Sequence, residues 1–515
     1  MRRAAAVAAL LGVMAGLLVL SSLHKKLAYD EYDNLAYGYR LLQHGPVLPS
    51  SGQRMPVLAL NALGCPEGCR RADVEASEAA LLLVRLPTML FALGLASIVS
   101  AWAAEWLGGR AGLLALATAV FDPTLLAHGK QVTSDVPAAF FTVAALWAAW
   151  RALRGRGPAA VNVLLAAAST AGALLSKYPC VLLLPVLGAI LAVDVLKRRA
   201  FDRRSLLRTA GGVAAFLVLA LVFLNAAYLF DGTLRRADSY PWKSRRLQSL
   251  RDWPAPLPLP RVYVLGIDFS YVVQEHPDLG RGNNYVLGRL NTDGVWYAFP
   301  VMVLLKTPLG VFALLLLAGH APLGGERGAG PVAWLLWPFG AVTAFYSLLA
   351  APQLGIRYLL PGLPLLGVYA ARAVTSPSPA RRRLALGLAA SCAVSVLSWH
   401  PHYMSYFNEL IGPRVNAWRF LADSNLDWED RSHDIARFRA EHPEIPLVVE
   451  PERPTPGWIL VGANRLVGVY EPDRYRWLRE NFRPDRHVGY SYLLFRVPPD
   501  RLREVLGVVP RDPLP

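Results

Sequence analysis

Charge is what this chain has least of. Only 17% of its 515 residues are Asp, Glu, Lys or Arg, against about 25% in a soluble domain. Hydrophobic residues make up 54% and the mean hydropathy is +0.32. That balance excludes a soluble globule. The 14 Trp, 20 Tyr and 18 Phe exclude a disordered chain. Cysteine is scarce too: four scattered residues do not make a disulfide scaffold. Lysine is missing altogether from residue 401 onward, where 16 Arg face 17 Asp and Glu. The formal charge of +16 therefore belongs to the first 400 residues. There the arginines stand between apolar runs, a pattern of membrane topology and not of nucleic-acid binding. No internal repeat is found, which removes a frequent sign of a transporter.

What the chain does have is long apolar runs. A membrane-crossing helix needs about 20 mostly apolar residues. Eleven runs approach this, near 4–23, 79–103, 111–127, 136–152, 159–176, 180–196, 209–230, 296–318, 332–350, 355–373 and 384–400. The first is too long for a signal-peptide core and reads as an uncleaved anchor. Basic clusters alternate between loops: Arg2-Arg3, Arg110, Arg151/Arg154/Arg156, Lys197 to Arg208, and Arg381 to Arg383. The positive-inside rule places all of these, and the N-terminus, in the cytoplasm. The expected fold is a mostly α, polytopic core over 1–400 with about 11 transmembrane helices and outer loops 24–78 and 231–295. A small α/β domain over 401–515 follows outside the cytoplasm. Its apolar runs at 446–449, 458–463 and 488–497 read as strands. The expected location is the inner (plasma) membrane.

Ionisable residues near the bilayer are costly, so each one needs an explanation. Glu105 and Asp194 lie beside cytoplasmic arginines and are expected to pair or snorkel there. The outer ends are richer. After the first run comes Asp30-Glu31-Tyr32-Asp33-Asn34. A helix over 28–42 would align Ala28, Tyr32, Leu35, Tyr39 and Leu42 as an apolar stripe and turn Asp30, Asp33/Asn34 and Tyr37 to another face. A second cluster joins Asp122, His128, Lys130 and Asp135 in one short outer stretch, where Thr133, Ser134 or Asp135 also fits a helix cap. Lys177, Lys306 and Arg357 stand near the same interface, against the topology rule. Together these cations suit an anionic ligand such as a lipid phosphate. Cys65 and Cys69 suit a short disulfide loop outside the cytoplasm. Asn425, Asp427 and Asp430 lack the glycine and terminal glutamate of a calcium loop.

The segments that carry these residues resemble a known family. They are Asp30-Glu31 with Tyr37-Gly38-Tyr39; His128-Gly129 to Asp135-Val136-Pro137; Gly288 and Trp296-Tyr297 to Lys306-Thr307-Pro308; Gly355-Ile356-Arg357-Tyr358; Asn408-Glu409 with Asp423 to Trp428 and Asp430; and Trp458 to Asn464 with Trp477-Leu478. In this order the chain resembles the bacterial relatives of protein O-mannosyltransferases and of the aminoarabinose–lipid A transferase. Those are membrane glycosyltransferases of the GT-C fold that use polyprenyl-phosphate sugars. There are departures: Asn34, Arg54 to Val57, and Asn283-Asn284 stand where relatives often carry histidine-containing segments.

The resemblance implies an inverting transfer of a sugar from a polyprenyl-phosphate donor to a hydroxyl of a protein, lipid or envelope glycan. Asp30 is the expected base, with Glu31 next, and Asp135 orients the acceptor or base. Lys177, Lys306 and Arg357 are expected to meet the donor phosphate, with Lys130 a fourth candidate. The implied partners are that donor, the bilayer and the acceptor, and no nucleic acid. No cofactor is required by the pattern, although carboxylates 30, 31, 33 and 135 could ligate Mg or Mn. The competing reading is a transporter or lipid flippase.

Overall fold

The computed structural model describes residues 2–48, 54–199, 201–276, 283–291, 294–321, 330, 332–349, 353–428 and 431–507. Asp430 and the end of the C-terminal segment lie outside them. The described chain is mostly helical. In order come α1 (Arg2–Leu23), α2 (Tyr29–His44), α3 (Glu78–Leu107), α4 (Gly109–Val120), α5 (Pro123–His128), α6 (Asp135–Leu153), α7 (Ala159–Leu174), α8 (Leu183–Arg198) and α9 (Arg203–Ala227). They are followed by α10 (Arg261–Glu275), α11 (Ala298–Lys306), α12 (Leu309–Gly319), α13 (Trp337–Leu348), α14 (Leu363–Ala370) and α15 (Pro379–Leu397).

All eleven apolar runs contain helix, but they are not eleven equal crossings. By length and composition, five helices among the described residues can cross a bilayer, or six if α11 and α12 count as one. Gly109–Val120, Ala159–Leu174, Val332–Leu348 and Leu363–Thr375 are shorter apolar helices of a multi-pass membrane protein, and α15 has 19 residues with Arg381 to Arg383 in its first turns. The interruptions have sequence causes. Asp122-Pro123 ends α4 and starts α5, with the Asp122 carboxylate capping the Thr124 and Leu125 amides at 2.8 and 2.9 Å. Thr307-Pro308 breaks the run at 296–318, and α12 leaves α11 at 99°, because proline removes a helical amide and its ring clashes with the preceding turn. The run at 355–373 opens on Gly355 and a single tight turn, Ile356–Leu359, before α14. Arg198 pairs with Asp194 at 2.7 Å and Arg151 with Glu105 at 3.6 Å. Glu105 thus takes a partner from the neighbouring helix α6 and not the nearby Arg110.

The C-terminal segment begins with short turns at Tyr403–Ser405, Glu409–Ile411, Arg414–Arg419 and Asp423–Asn425. It then builds a four-stranded sheet from β1 (Leu447–Val449), β2 (Gly457–Gly462), β3 (Arg486–Val488) and β4 (Tyr492–Val497), in the order β1-β2-β4-β3. β1 runs parallel to β2, and the remaining pairs are antiparallel, with Ile459 opposite Phe495. Tyr406, Phe407, Leu421, Leu466 and Phe495 belong to the same buried core as Met14, Val99 and Val143 of the helices. The core is therefore continuous across residue 401, and the segment's turns are seated in the helical bundle.

α2 is the element that matters for chemistry. Asp30 and Glu31 fill its first turn, where the helix dipole favours negative charge. Leu35 is buried as the stripe requires, but Leu42 is 48% exposed. Gly38 lies so close to the Leu58 carbonyl that a Cβ would fall 2.5 Å from its oxygen. That contact ties α2 to the loop that follows it, where Cys65 and Cys69 are joined.

Candidate active site

A polar cavity opens at one end of the bundle. It is lined by Asp30, Asp33 and Asn34 of α2, Arg54, Thr133 to Asp135 at the start of α6, Lys177, Arg357, Tyr358 and Trp428. Six stretches of the sequence thus converge. Asp30, Asp135, Lys177 and Arg357 meet here, while Lys306, which the charge argument grouped with Lys177 and Arg357, is not in the lining.

Asp135 anchors the cations. Its side chain pairs with Lys177, and Arg357 Nη1 lies 3.6 Å from Oδ2. It caps nothing: Ser134 is the cap position and makes no side-chain cap bond. Lys177 Nζ sits 4.2 Å above the Tyr358 ring, and the Arg357 guanidinium lies 3.9 Å above the Trp428 ring. These aromatic faces hold both cations in place without neutralising them. Arg357 is buried, yet its Nε has no hydrogen-bond partner among the described residues, and neither does Thr133 Oγ1. Buried donors normally find partners. Two such groups on one cavity mark where a polar ligand fits.

Asp30 faces the same space, half-buried, beside Trp428. Burial pushes its carboxyl above the ordinary value of 3.8; Arg357 pulls it back, and Asp33 adds to the rise. Asp33 is itself held by Arg54 at 2.6 Å. Asp423 stands near enough to interact with both Arg357 and Asp30, and burial raises its carboxyl to about 6.

Other candidates lie elsewhere. Glu31 is buried in a bidentate pair with Arg85, at 3.0 and 2.8 Å, and also accepts the Ala28 and Val132 amides at 2.9 and 3.0 Å. Both of its oxygens are used. Lys306 and Lys130 are buried away from the cavity lining. Lys306 Nζ donates to the Met404 and Asn425 carbonyls at 2.8 and 2.5 Å, and Lys130 Nζ to the Ser21 carbonyl at 3.1 Å. Asn425 accepts the Ile356 amide at 2.9 Å and Asp427 pairs with Arg431 at 3.1 Å, so neither is free for a calcium loop. Among the described residues, no three His, Cys, Asp or Glu side chains converge as a metal site. Asp135 is already engaged by Lys177 and Arg357, a poor fit for a divalent ion.

Sequence reasoning did not single out Arg54, Tyr358 or Trp428 as site residues. Arg54 was visible only as a departure from the resembled pattern, and Asn34 also as part of the polar face of the 28–42 helix; both line the cavity.

Residues 77–225, which hold Asp135 and Lys177, match the family model described as dolichyl-phosphate-mannose-protein mannosyltransferase. Across the whole chain the fold is similar to that of ArnT from Cupriavidus metallidurans bound to undecaprenyl phosphate. The TM-score is 0.50 at 14% identity, over 95% of this chain and 97% of that one. The apo state of the same protein gives 0.50 and 14%, over 96% and 98%. The oligosaccharyltransferase of Archaeoglobus fulgidus gives 0.48 and 13%, over 85% of this chain and 58% of that one. No curated protein matches by sequence. Across its length the chain has the fold of ArnT.

Proposed function

We propose that this protein is a membrane glycosyltransferase that moves a sugar from a polyprenyl-phosphate donor to an acceptor hydroxyl on the outer face of the membrane. One observation carries the reading. Lys177 lines the polar cavity and also an apolar groove formed with Thr142, Pro179, Cys180, Leu183, Val342 and Tyr346. A ligand bound across that junction has an apolar tail on one side and an anionic group on the other. A polyprenyl-phosphate sugar has this form, and the ArnT structure holds undecaprenyl phosphate.

The acceptor hydroxyl enters beside Asp30, which takes its proton, since the hydroxyl's own pKa is far above 7. The acceptor oxygen bonds to the anomeric carbon as the bond from that carbon to the phosphate oxygen breaks, with inversion. The electron pair leaves on polyprenyl phosphate. Lys177 and the unpaired Nε of Arg357 meet that charge as it develops. Asp135 fixes both cations. Asp33, held by Arg54, raises the basicity of Asp30.

The test is mass spectrometry of envelope glycans, lipids and glycoproteins with and without the chain, joined to transfer by purified protein in nanodiscs. Unchanged envelopes and no binding of undecaprenyl phosphate would remove the reading. Orientation is checked by fusing alkaline phosphatase after residue 515 and, separately, after Arg204. Activity is expected only in the first fusion.

A further inference from the structure

We propose that Lys306 is a positioning residue, which holds the 423–428 loop against the bundle and does not touch the donor. The inference rests on the cavity being the transfer site proposed above.

Lys306 is the last residue of α11, directly before the 99° bend. Its side chain is buried, with its ammonium 4.5 Å from the Phe407 ring centre. Among the described residues no carboxylate pairs with it; its partners are the Met404 and Asn425 carbonyls. A buried charge is tolerated only when dipoles replace the lost water. Those dipoles come from the C-terminal segment, so the charge binds that segment to the bundle.

The loop so held carries Trp428 to the cavity and Asp423 within electrostatic reach of Arg357 and Asp30. It is clasped from several sides. Asn425 Oδ1 accepts the Ile356 amide at 2.9 Å, directly beside Arg357, and Ser424 Oγ donates to the Leu354 carbonyl. Ser405 Oγ donates to the Leu426 carbonyl at 2.7 Å. Asn464 bridges the loop's ends, accepting the Asp423 amide and donating to the Asp427 carbonyl, both at 2.7 Å. Gly355 has φ +146, and a Cβ there would lie 2.4 Å from Ser424 Oγ. Arg431 holds the end of the loop through Asp427 at 3.1 Å, and Lys306 acts on its centre through the Asn425 carbonyl. Loss of the Lys306 ammonium frees Asn425, and with it the Trp428 ring that covers Arg357.

The experiment compares wild type, Lys306→Met and Lys306→Arg in nanodiscs by hydrogen–deuterium exchange, undecaprenyl phosphate binding and transfer rate. In Lys306→Met, the amides of 423–428 should exchange about tenfold or more faster, as in a local opening, while the amides of α3 and α6 keep their protection. Undecaprenyl phosphate should bind within about threefold of wild type, since charged contacts to the ligand itself would cost far more. The transfer rate should fall, and Lys306→Arg should restore most of the loop's protection. Asn464→Ala, which loosens the loop from the other side, should give the same pattern more weakly. If Lys306→Met does not accumulate, Lys306→Gln replaces it. A fully protected loop in the uncharged variant overturns the proposal, and so does lost undecaprenyl phosphate binding with the loop intact. If wild type itself neither binds nor transfers, the functional reading fails, while the exchange data still decide whether Lys306 holds the loop.

Discussion

Asp30 and Glu31 are neighbours on one helix, yet they belong to two different kinds of polar site. Glu31 faces a sealed pair in which Arg85 and two amides use both carboxylate oxygens. Asp30 faces a cavity where Arg357 Nε and Thr133 Oγ1 lack partners. The two side chains point about 100° apart, because a helix has 3.6 residues per turn. The difference separates architecture from chemistry. A charge whose partners are complete holds the fold, and a charge left among incomplete partners is available to a ligand.

The comparison can be broken by mutation, and the largest effect is expected at Asp30. Asp30→Asn keeps shape and removes the proton acceptor, so transfer should fall by about 10²–10⁴-fold with unfolding temperature unchanged. A rate at the wild-type level would place Asp30 among the structural charges. Glu31→Gln should do the reverse, leaving Arg85 buried with a neutral partner at a cost of about 3–5 kcal/mol. Denaturation in detergent should show the loss, and a fully stable but inactive Glu31→Gln would exchange the two assignments.

Arg357→Ala should weaken donor binding by about 2–5 kcal/mol, with titration calorimetry against undecaprenyl phosphate as the measure. Arg357→Lys should recover part of it, since lysine lacks the planar fork. The smallest effect is the most specific. The acid limb of kcat/KM reports the free base, so it should lie above the ordinary Asp value of 3.8. Activity should appear as pH rises through that limb and Asp30 loses its proton. Arg357 lowers the Asp30 pKa and Asp33 raises it. The limb should therefore move to higher pH in Arg357→Ala and to lower pH in Asp33→Asn. A limb that ignores both changes belongs to another group.

Much of this site was legible because charge near a bilayer is expensive and so stands out among apolar neighbours. Asp30, Asp135, Lys177 and Arg357 were each visible in that way, and the helix over 28–42 placed Asp30 and Asp33 on one face. What charge spacing could not show is who satisfies whom. Lys306 and Lys130 look like free cations in sequence, because their partners are backbone carbonyls from distant residues. The choice between Asp30 and Glu31 depended on Arg85, which sits inside an otherwise apolar run. The number of crossings was also hidden, since apolar composition persists through the breaks at Asp122-Pro123 and Thr307-Pro308. Only the proline positions mark them.

The wall of the cavity draws on residues from Asp30 to Trp428, and this has a consequence for biosynthesis. Translation supplies the base early and the ring that covers Arg357 only after most of the chain. At about 5–20 residues per second, the interval is roughly 20–80 s. Through that time the nascent bundle carries its carboxylates and cations without the loop that finishes their enclosure. The cavity is thus completed late in synthesis, and a chain that ends before Trp428 lacks the ring that covers Arg357.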